Sequence, residues 1–303
     1  MRLATTIGEM YQYASAPAEA VKFYRDTGFK YLDYSFCPAY KNGSAFMLDD
    51  ERFWQQEVDD AAQAAADLGM EFVQAHAPCY NPLAADCDHE RCMRAMLRSI
   101  EACGRLHIPV TVVHTSFGRQ HRYPVDQQDY WAYNRKFLQP MLQTAEKHGV
   151  FICIENSGAR DTQGCYTWQT PEDMLKFLDY MQHPLLACCW DTGHAVMDLK
   201  FDQYNDLCKL GKNLKAVHIH DNNINLDEHF PPFCGKLHLD RVVEALRDME
   251  FAGAFTFEAD GFMNHISGNG RLKQLPLEIR IDALKLLYKI GKFALTDYDI
   301  VVQ

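Results

Sequence analysis

Leu186-Ala187-Cys188-Cys189-Trp190-Asp191-Thr192-Gly193-His194 is an apolar run that stops on a carboxylate and passes through two small residues to a histidine. Its apolar part has the length of one fully buried strand, and its polar end marks where such a strand would leave the core. The same plan recurs along the chain. Strands are expected at Leu3–Ile7, Tyr31–Tyr34, Glu71–Ala75, Val110–His114, Phe151–Glu155, Leu186–Asp191, Ala216–His220 and Ala254–Glu258. Amphipathic stretches separate them, at Pro17–Thr27, Glu51–Leu68, His89–Leu106, Tyr130–His148, Pro171–Tyr180, Phe201–Leu210 and Leu239–Met249, with a last one at Leu277–Phe293. Every strand-to-strand step is long enough for the helical crossover that parallel pairing requires. Gly28, Gly69 and Gly149 close helical patterns, and Thr170-Pro171-Glu172-Asp173 opens one with a hydroxyl cap, a proline and two acids.

This alternation predicts an α/β chain with a single (β/α)8 TIM barrel over residues 1–303. An open doubly wound sheet would need a Gly-rich phosphate turn after its first strand. Here Gly8-Glu9-Met10-Tyr11 follows, with no GxGxxG, and no Ser/Gly-rich linker or short repeat interrupts the chain. The hydrophobic share is 48%, ordinary for a globular core. No run approaches the roughly 18 apolar residues of a membrane span. The segment MRLATTIGEMYQYASA lacks a basic region and an apolar run, so a cytoplasmic location is expected. Eleven cysteines are scattered from Cys37 and Cys79 to Cys234, and are expected to be reduced and mostly buried. Cys87-Asp88-His89-Glu90-Arg91-Cys92 lacks paired CxxC spacing and is not expected to bind zinc.

In a (β/α)8 barrel, chemistry sits at the C-terminal strand ends. Those ends read Ala75-His76-Ala77-Pro78, Val113-His114-Thr115-Ser116, Ile154-Glu155-Asn156, Trp190-Asp191-Thr192-Gly193-His194, His218-Ile219-His220-Asp221-Asn222 and Phe257-Glu258-Ala259-Asp260. One such residue commonly is a hydrogen-bonded rim group. Consecutive strand ends all carrying one are different, because desolvation and like charge both oppose several buried carboxylates, and a bound cation removes that cost. Period-two alternation puts His218 and His220 on one face. His220, nearer the strand end, is expected as the ligand, and His218 one layer deeper as an orienting or filling residue. Mixed N and O donors suit Mn2+, Zn2+ or Co2+.

With HAP at strand three, IENSG at strand five, WDTGHA at strand six, HIHDNNINLDEHFPP at strand seven and FTFEADGF at strand eight, the whole chain resembles the xylose isomerase-like TIM barrels. That family includes sugar isomerases and epimerases and apurinic-site endonucleases. The resemblance to its ketose epimerases implies one divalent ion held by Glu155, Asp191, His220 and Glu258, with His194 touching substrate. It also implies that homo-oligomers are common. The resemblance to its apurinic-site endonucleases implies three zinc ions held by His76, His114, Glu155, Asp191, His194, His220, Asp227, His229 and Glu258.

The loops weigh between these readings. Phosphate-backbone binding draws on clustered Lys and Arg, whereas the formal net charge is -11. The expected loop Cys37–Glu51 carries Lys41 against Asp49, Asp50 and Glu51, and Pro78–Glu90 carries Asp86, Asp88 and Glu90 with no Lys or Arg. Arg119, His121 and Arg122 are followed by Asp126 and Asp129, and Arg160 by Asp161. Tyr40, Phe46, Tyr80, Phe117 and Tyr123 suit enclosure of a small sugar. A small sugar or polyol is therefore the expected partner, rather than nucleic acid or a membrane. Isomerisation or epimerisation through a metal-stabilised enediolate is expected, with Glu155 and Glu258 as the acid/base pair and His76, His114, His194, Asp227 and His229 as substrate contacts. Two departures from the epimerase pattern bear on substrate identity: Asn222–His229 has no Arg, and the usual Gly-x-Gly is reduced to Phe233-Cys234-Gly235-Lys236.

Overall fold

The computed structural model describes residues 1–80, 88–115, 127–158, 168–259, 261 and 275–303. Within them the apolar runs form β1 (Arg2–Thr6), β2 (Tyr31–Ser35), β3 (Glu71–His76), β4 (Val110–Val113), β5 (Phe151–Glu155), β6 (Leu186–Asp191), β7 (Leu214–His218) and β8 (Ala254–Phe257). All pair in parallel, in the order β7-β6-β5-β4-β3-β2-β1-β8. A bridge between Ile219 and Phe257, with the Ile219 N–H donating to Thr256 O at 2.8 Å, brings β7 back to β8 and nearly closes the ring. This is the (β/α)8 TIM barrel that the sequence predicts.

The helices are α1 (Pro17–Lys22), α2 (Arg52–Asp67), α3 (His89–Arg105), α4 (Gln127–His148), α5 (Pro171–Met181), α6 (Thr192–Met197), α7 (Tyr204–Leu210), α8 (Leu239–Asp248) and α9 (Leu277–Thr296). Thr170 caps α5 as expected, its hydroxyl accepting from Asp173 N. Asp88 caps α3 through Arg91 N, so its place in the Cys87–Cys92 stretch is structural, while Cys87 lies outside the described residues. The expected helix Pro17–Thr27 is shorter. From Phe23 onward the backbone bonds three residues back, ending in Gly28 at φ 102°, a conformation that glycine adopts without strain. Helix α6 was not expected, and its cause is local: Asp191 accepts from His194 N at 2.7 Å and starts a helix on the strand's last residue.

The core is one continuous apolar cluster between barrel and helices, from Leu3 and Trp54 to Trp190 and Leu295. Glu9, just past β1, accepts from Thr5 Oγ1 at 2.9 Å and from Arg280 of α9 at 3.0 Å, both charged side chains being buried. That pair fastens the last helix to the end of the first strand. No helix of the described residues is long and apolar enough to cross a membrane. Among the described cysteines, Cys92, Cys103, Cys153, Cys188, Cys189, Cys208 and Cys234 are free, as expected. Cys37 and Cys79 differ, being joined in a disulfide.

Candidate active site

The strand-six end is held before any ligand is considered. Asn156, one residue past β5, accepts from Asp191 N at 2.6 Å and donates to Asp191 O at 2.9 Å, so its amide satisfies both backbone groups of that aspartate. Thr192 Oγ1 donates to His220 O at 2.7 Å and ties the start of α6 to strand seven. Gly193 is required here for space: a Cβ on it would lie 2.0 Å from His220 Cε1, far inside contact distance. The Asp-Thr-Gly-His order is thus a packing solution as well as a set of functional groups.

Glu155, Asp191, His218 and Glu258 offer ligand atoms within 4.8 Å of one another. His218 Nδ1 stands 2.5 Å from Glu155 Oε1, 2.9 Å from Glu258 Oε2 and 3.9 Å from Asp191 Oδ2. The histidine that meets the three carboxylates in this structure is therefore His218, where the sequence reading expects His220. The reason is register. Asp191 pairs with His218 across the β6–β7 ladder, and β7 ends at that residue. His220, two residues on, sits outside this group. Its Nε2 approaches Asp191 Oδ2 at 2.9 Å, and its ring stacks on His229 with centroids 4.1 Å apart.

Two further groups flank the first. His76, His114 and Glu155 converge on one side, with His76 Nε2 3.2 Å from His114 Nε2 and His114 Nε2 2.8 Å from Glu155 Oε2. His194, His220, Asp227 and His229 converge on the other, where Asp227 Oδ2 lies 3.2 Å from His194 Nε2 and 3.0 Å from His229 Nε2. A carbonyl can only accept, which fixes three of these rings. His76 Nδ1 donates to Ala77 O, His194 Nδ1 to Asn156 O and His229 Nδ1 to Glu258 O, each at 2.8 Å. Each ring then turns Nε2 toward its group, the arrangement found when imidazole serves a cation. The donor set therefore fits divalent metal: buried carboxylates plus imidazoles with oriented lone pairs.

The electrostatics agree in sign. Burial opposes charge on His218, but Cys189, Glu258 and Glu155 outweigh it and hold the imidazole well above the usual histidine value. Burial likewise opposes ionised Glu155 and Glu258, and the His218 charge overcomes it, leaving both carboxyls below their usual range. On the flank, burial is outweighed at His194 by Asp191 and Asp227, which raise its pKa, and at Asp227 by His194 and His229, which lower it. His76 differs: burial, with His114 beside it, pushes its pKa down to about 4.

The loop after strand seven is built around two side chains that received no role from sequence. Asp221 accepts from Gly235 N and Leu237 N at 2.8 Å each. Asn222 accepts from Glu228 N and His229 N and donates to Asp227 Oδ1, so it places the Asp227–His229 pair directly. Asn156 was likewise missed. All three stand inside motifs that looked distinctive, but nothing in a linear string shows which backbone groups their side chains satisfy.

A cavity of about 620 Å³ opens beside the central group, with Glu258, Tyr11, Phe36, Tyr40, Lys41 and Glu57 in its wall. Phe46 also borders it, although its ring is buried against Phe36 and Trp54. Tyr40 and Tyr80 rings lie 6.2 Å apart. Asp49 and Asp50 are engaged by Arg94 and Arg52, at 3.0 and 2.6 Å. Asp86, Ser116, Phe117, Arg119, His121, Arg122, Tyr123, Asp126, Arg160, Asp161 and Asp260 lie outside the described residues.

Residues 21–274 match the model of the xylose isomerase-like TIM barrels. The chain belongs to that family. Among solved structures it is similar to a D-psicose 3-epimerase from Clostridium cellulolyticum H10, with TM-score 0.70 and 13% identity, over 97% of this chain and 99% of that one. A 3-keto-D-glucoside 4-epimerase from E. coli gives TM-score 0.68 and 17% identity, over 95% and 99%. An L-ribulose 3-epimerase gives 0.70 and 17%, over 98% and 95%. At such identities the likeness is one of fold. In sequence, an uncharacterized protein of Methanocaldococcus jannaschii is 27% identical over 143 residues, 46% of this chain and 47% of that protein. The match thus spans about half the length of that curated relative.

Proposed function

We propose that this barrel is a metal-dependent sugar isomerase or epimerase that moves a proton on the carbon next to a carbonyl. The observation that carries the reading is the pair Glu155 and Glu258. They rise from β5 and from the end of β8, both reach His218 Nδ1, and Glu258 also borders the cavity. Glu155, Asp191, His218 and Glu258 would hold the ion, which when bound supplies a Lewis acid for a carbonyl oxygen and offsets charge as the proton leaves. One carboxylate removes the proton and the other returns it. His194, His229 and Asp227 form the flanking group beside Asp191 and can bind substrate hydroxyls. The similar solved structures named for ketose and keto-glucoside epimerases support this class of substrate. An inosose-type dehydratase would use nearly the same groups.

The test is isotope exchange. The metal-reconstituted chain, incubated in D2O with a panel of ketoses and inosose-like ketones, should place solvent deuterium on the carbon beside the carbonyl of its substrate. Turnover of a ketose with no deuterium gained, through a hydride shift, would remove the two-carboxylate mechanism.

A second reading has its own support. The flanking groups His76–His114–Glu155 and His194–His220–Asp227–His229 could each take an ion, giving the three-metal centre of an apurinic-site endonuclease. It requires three ions per chain and cleavage of an abasic duplex, with binding that weakens steeply as salt rises. The acidic balance of the chain opposes it.

Metal binding should also depend on pH in a defined direction. The metal-free fold holds a proton on His218, whose pKa is raised. A raised group stabilises the fold below its unfolded value of about 6.5 and loses that contribution as pH rises through the folded value. Ligation needs the neutral ring, so loading the ion releases this proton. The Tm gap between metal-loaded and metal-stripped protein should widen from about pH 6 to about pH 8. Thermal melts across that range check it, and a gap that narrows would contradict His218 as a ligand.

A further inference from the structure

The loops after β2 and β3 meet at the mouth of the barrel through Cys37 and Cys79. Their Cα atoms are 4.6 Å apart although 42 residues separate them in sequence. That spacing lies within the range a disulfide requires. Both residues are half-buried and both border the cavity beside Glu258. Their sulfurs lie against one ring: Cys37 Sγ is 3.3 Å and Cys79 Sγ 3.7 Å from His76 Nδ1. The opposite nitrogen of that ring faces His114 at 3.2 Å.

We propose that Cys37 and Cys79 form a reversible disulfide site that reacts with low-molecular-weight disulfides and, through His76, sets how tightly the barrel holds a metal ion. The sulfur chemistry stands by itself, and the metal clause rests on the reading above. Oxidation begins when one protein thiolate attacks a sulfur of the small disulfide, forming a mixed disulfide and expelling one thiolate. The second protein sulfur then displaces the other. One S–S bond breaks in the small molecule and one forms in the protein. Two electrons leave the cysteine sulfurs, and their two protons depart with the released thiols. A small thiol reverses both steps.

The link to metal is the tautomer of His76. In the disulfide state the sulfurs carry no hydrogen, and Nδ1–H donates to Ala77 O at 2.8 Å, leaving a lone pair on Nε2 that faces the His114 side. Reduction creates two S–H donors beside Nδ1. A thiol donating to Nδ1 favours the other tautomer, with hydrogen on Nε2, and that ring cannot ligate. His76 is thus a positioning point between the cysteine pair and the His76–His114–Glu155 group. Oxidised protein should bind a divalent ion there more tightly, by about tenfold, the lower end of what altered support of a ligand causes.

The experiment uses the full chain, stripped of metal and equilibrated in oxidising or reducing glutathione buffers. Thiols are alkylated and mapped by mass spectrometry, and Co2+ is titrated optically in each state. Expected are a linked Cys37–Cys79 peptide only in oxidising buffer, and Co2+ binding about tenfold tighter in that buffer. Cys37→Ala with Cys79→Ala should bind like the oxidised chain in both buffers, and Cys234→Ser should keep the full response. Alkylatable Cys37 and Cys79 in oxidising buffer would overturn the disulfide site, whatever the chain's substrate. Equal Co2+ affinity in the two states would overturn the link to His76. Sulfur-to-cobalt charge-transfer bands in the reduced chain would make the cysteines ligands, and would overturn the switch.

Discussion

Glu258→Gln should lower turnover on any ketose that the wild-type chain accepts by about 10²–10⁴-fold, the usual worth of one positioned acid or base. The substitution keeps the shape of the side chain and removes its ability to accept a proton. Position makes this residue the sharper test of the two glutamates. Its side chain is 20% exposed and borders the cavity, while that of Glu155 is 2% exposed and sits between His218 and His114. Both glutamates belong to the central ligand group, but Glu155 is also shared with His76 and His114, so its loss would disturb more of the metal-binding geometry. The check is kcat at saturating metal, with ion content measured on the same sample. Turnover within about threefold of wild type, at unchanged metal content, would remove Glu258 from the chemistry.

The second large effect separates the two histidines of strand seven. His218→Ala should abolish tight binding of the central ion, because it leaves three carboxylates with no nitrogen donor among them. His220→Ala should weaken that binding by about 10–100-fold, the range for loss of a group that orients a ligand, since His220 touches the site through Asp191. Isothermal titration of the metal-stripped variants with Mn2+ and Co2+ distinguishes them. The reverse order, with His220→Ala the more damaging, would return the ligand role to His220.

That contrast also marks where the sequence stops being readable. The barrel was legible because each strand is a short apolar run closed by a polar residue, and because each intervening stretch has helical period and end signals. The strand ends that carry the site could be read for the same reason: an acid or imidazole directly after an apolar run needs partners if it is buried. The choice between His218 and His220 could not, since alternation gives both the same face and the pairing of Asp191 with His218, where β7 ends, is set by the β6–β7 register. Register is a property of two paired strands and leaves no mark in either one.

The supports were hidden for a related reason. Asn156, Asp221 and Asn222 act on backbone groups that lie up to 35 residues away, as the Asn156–Asp191 pair does. In sequence Cys37 and Cys79 are two scattered thiols, since they stand 42 positions apart and only closure of the barrel brings them together. Short-range grammar fixes elements and the identity of their polar ends, while partners across the ring appear only once the ring is closed.

The central claim, a divalent ion on Glu155, Asp191, His218 and Glu258, is tested most directly by metal stoichiometry on the full chain. Protein purified without chelators or a histidine tag is analysed by mass spectrometry alongside Asp191→Ala. The account predicts at least one ion per wild-type chain, and loss of that ion in the variant. One ion points to sugar proton transfer, and three ions bring the abasic-DNA reading forward. Wild-type protein that neither carries an ion nor takes one up tightly when Mn2+, Co2+ or Zn2+ is supplied would contradict the account.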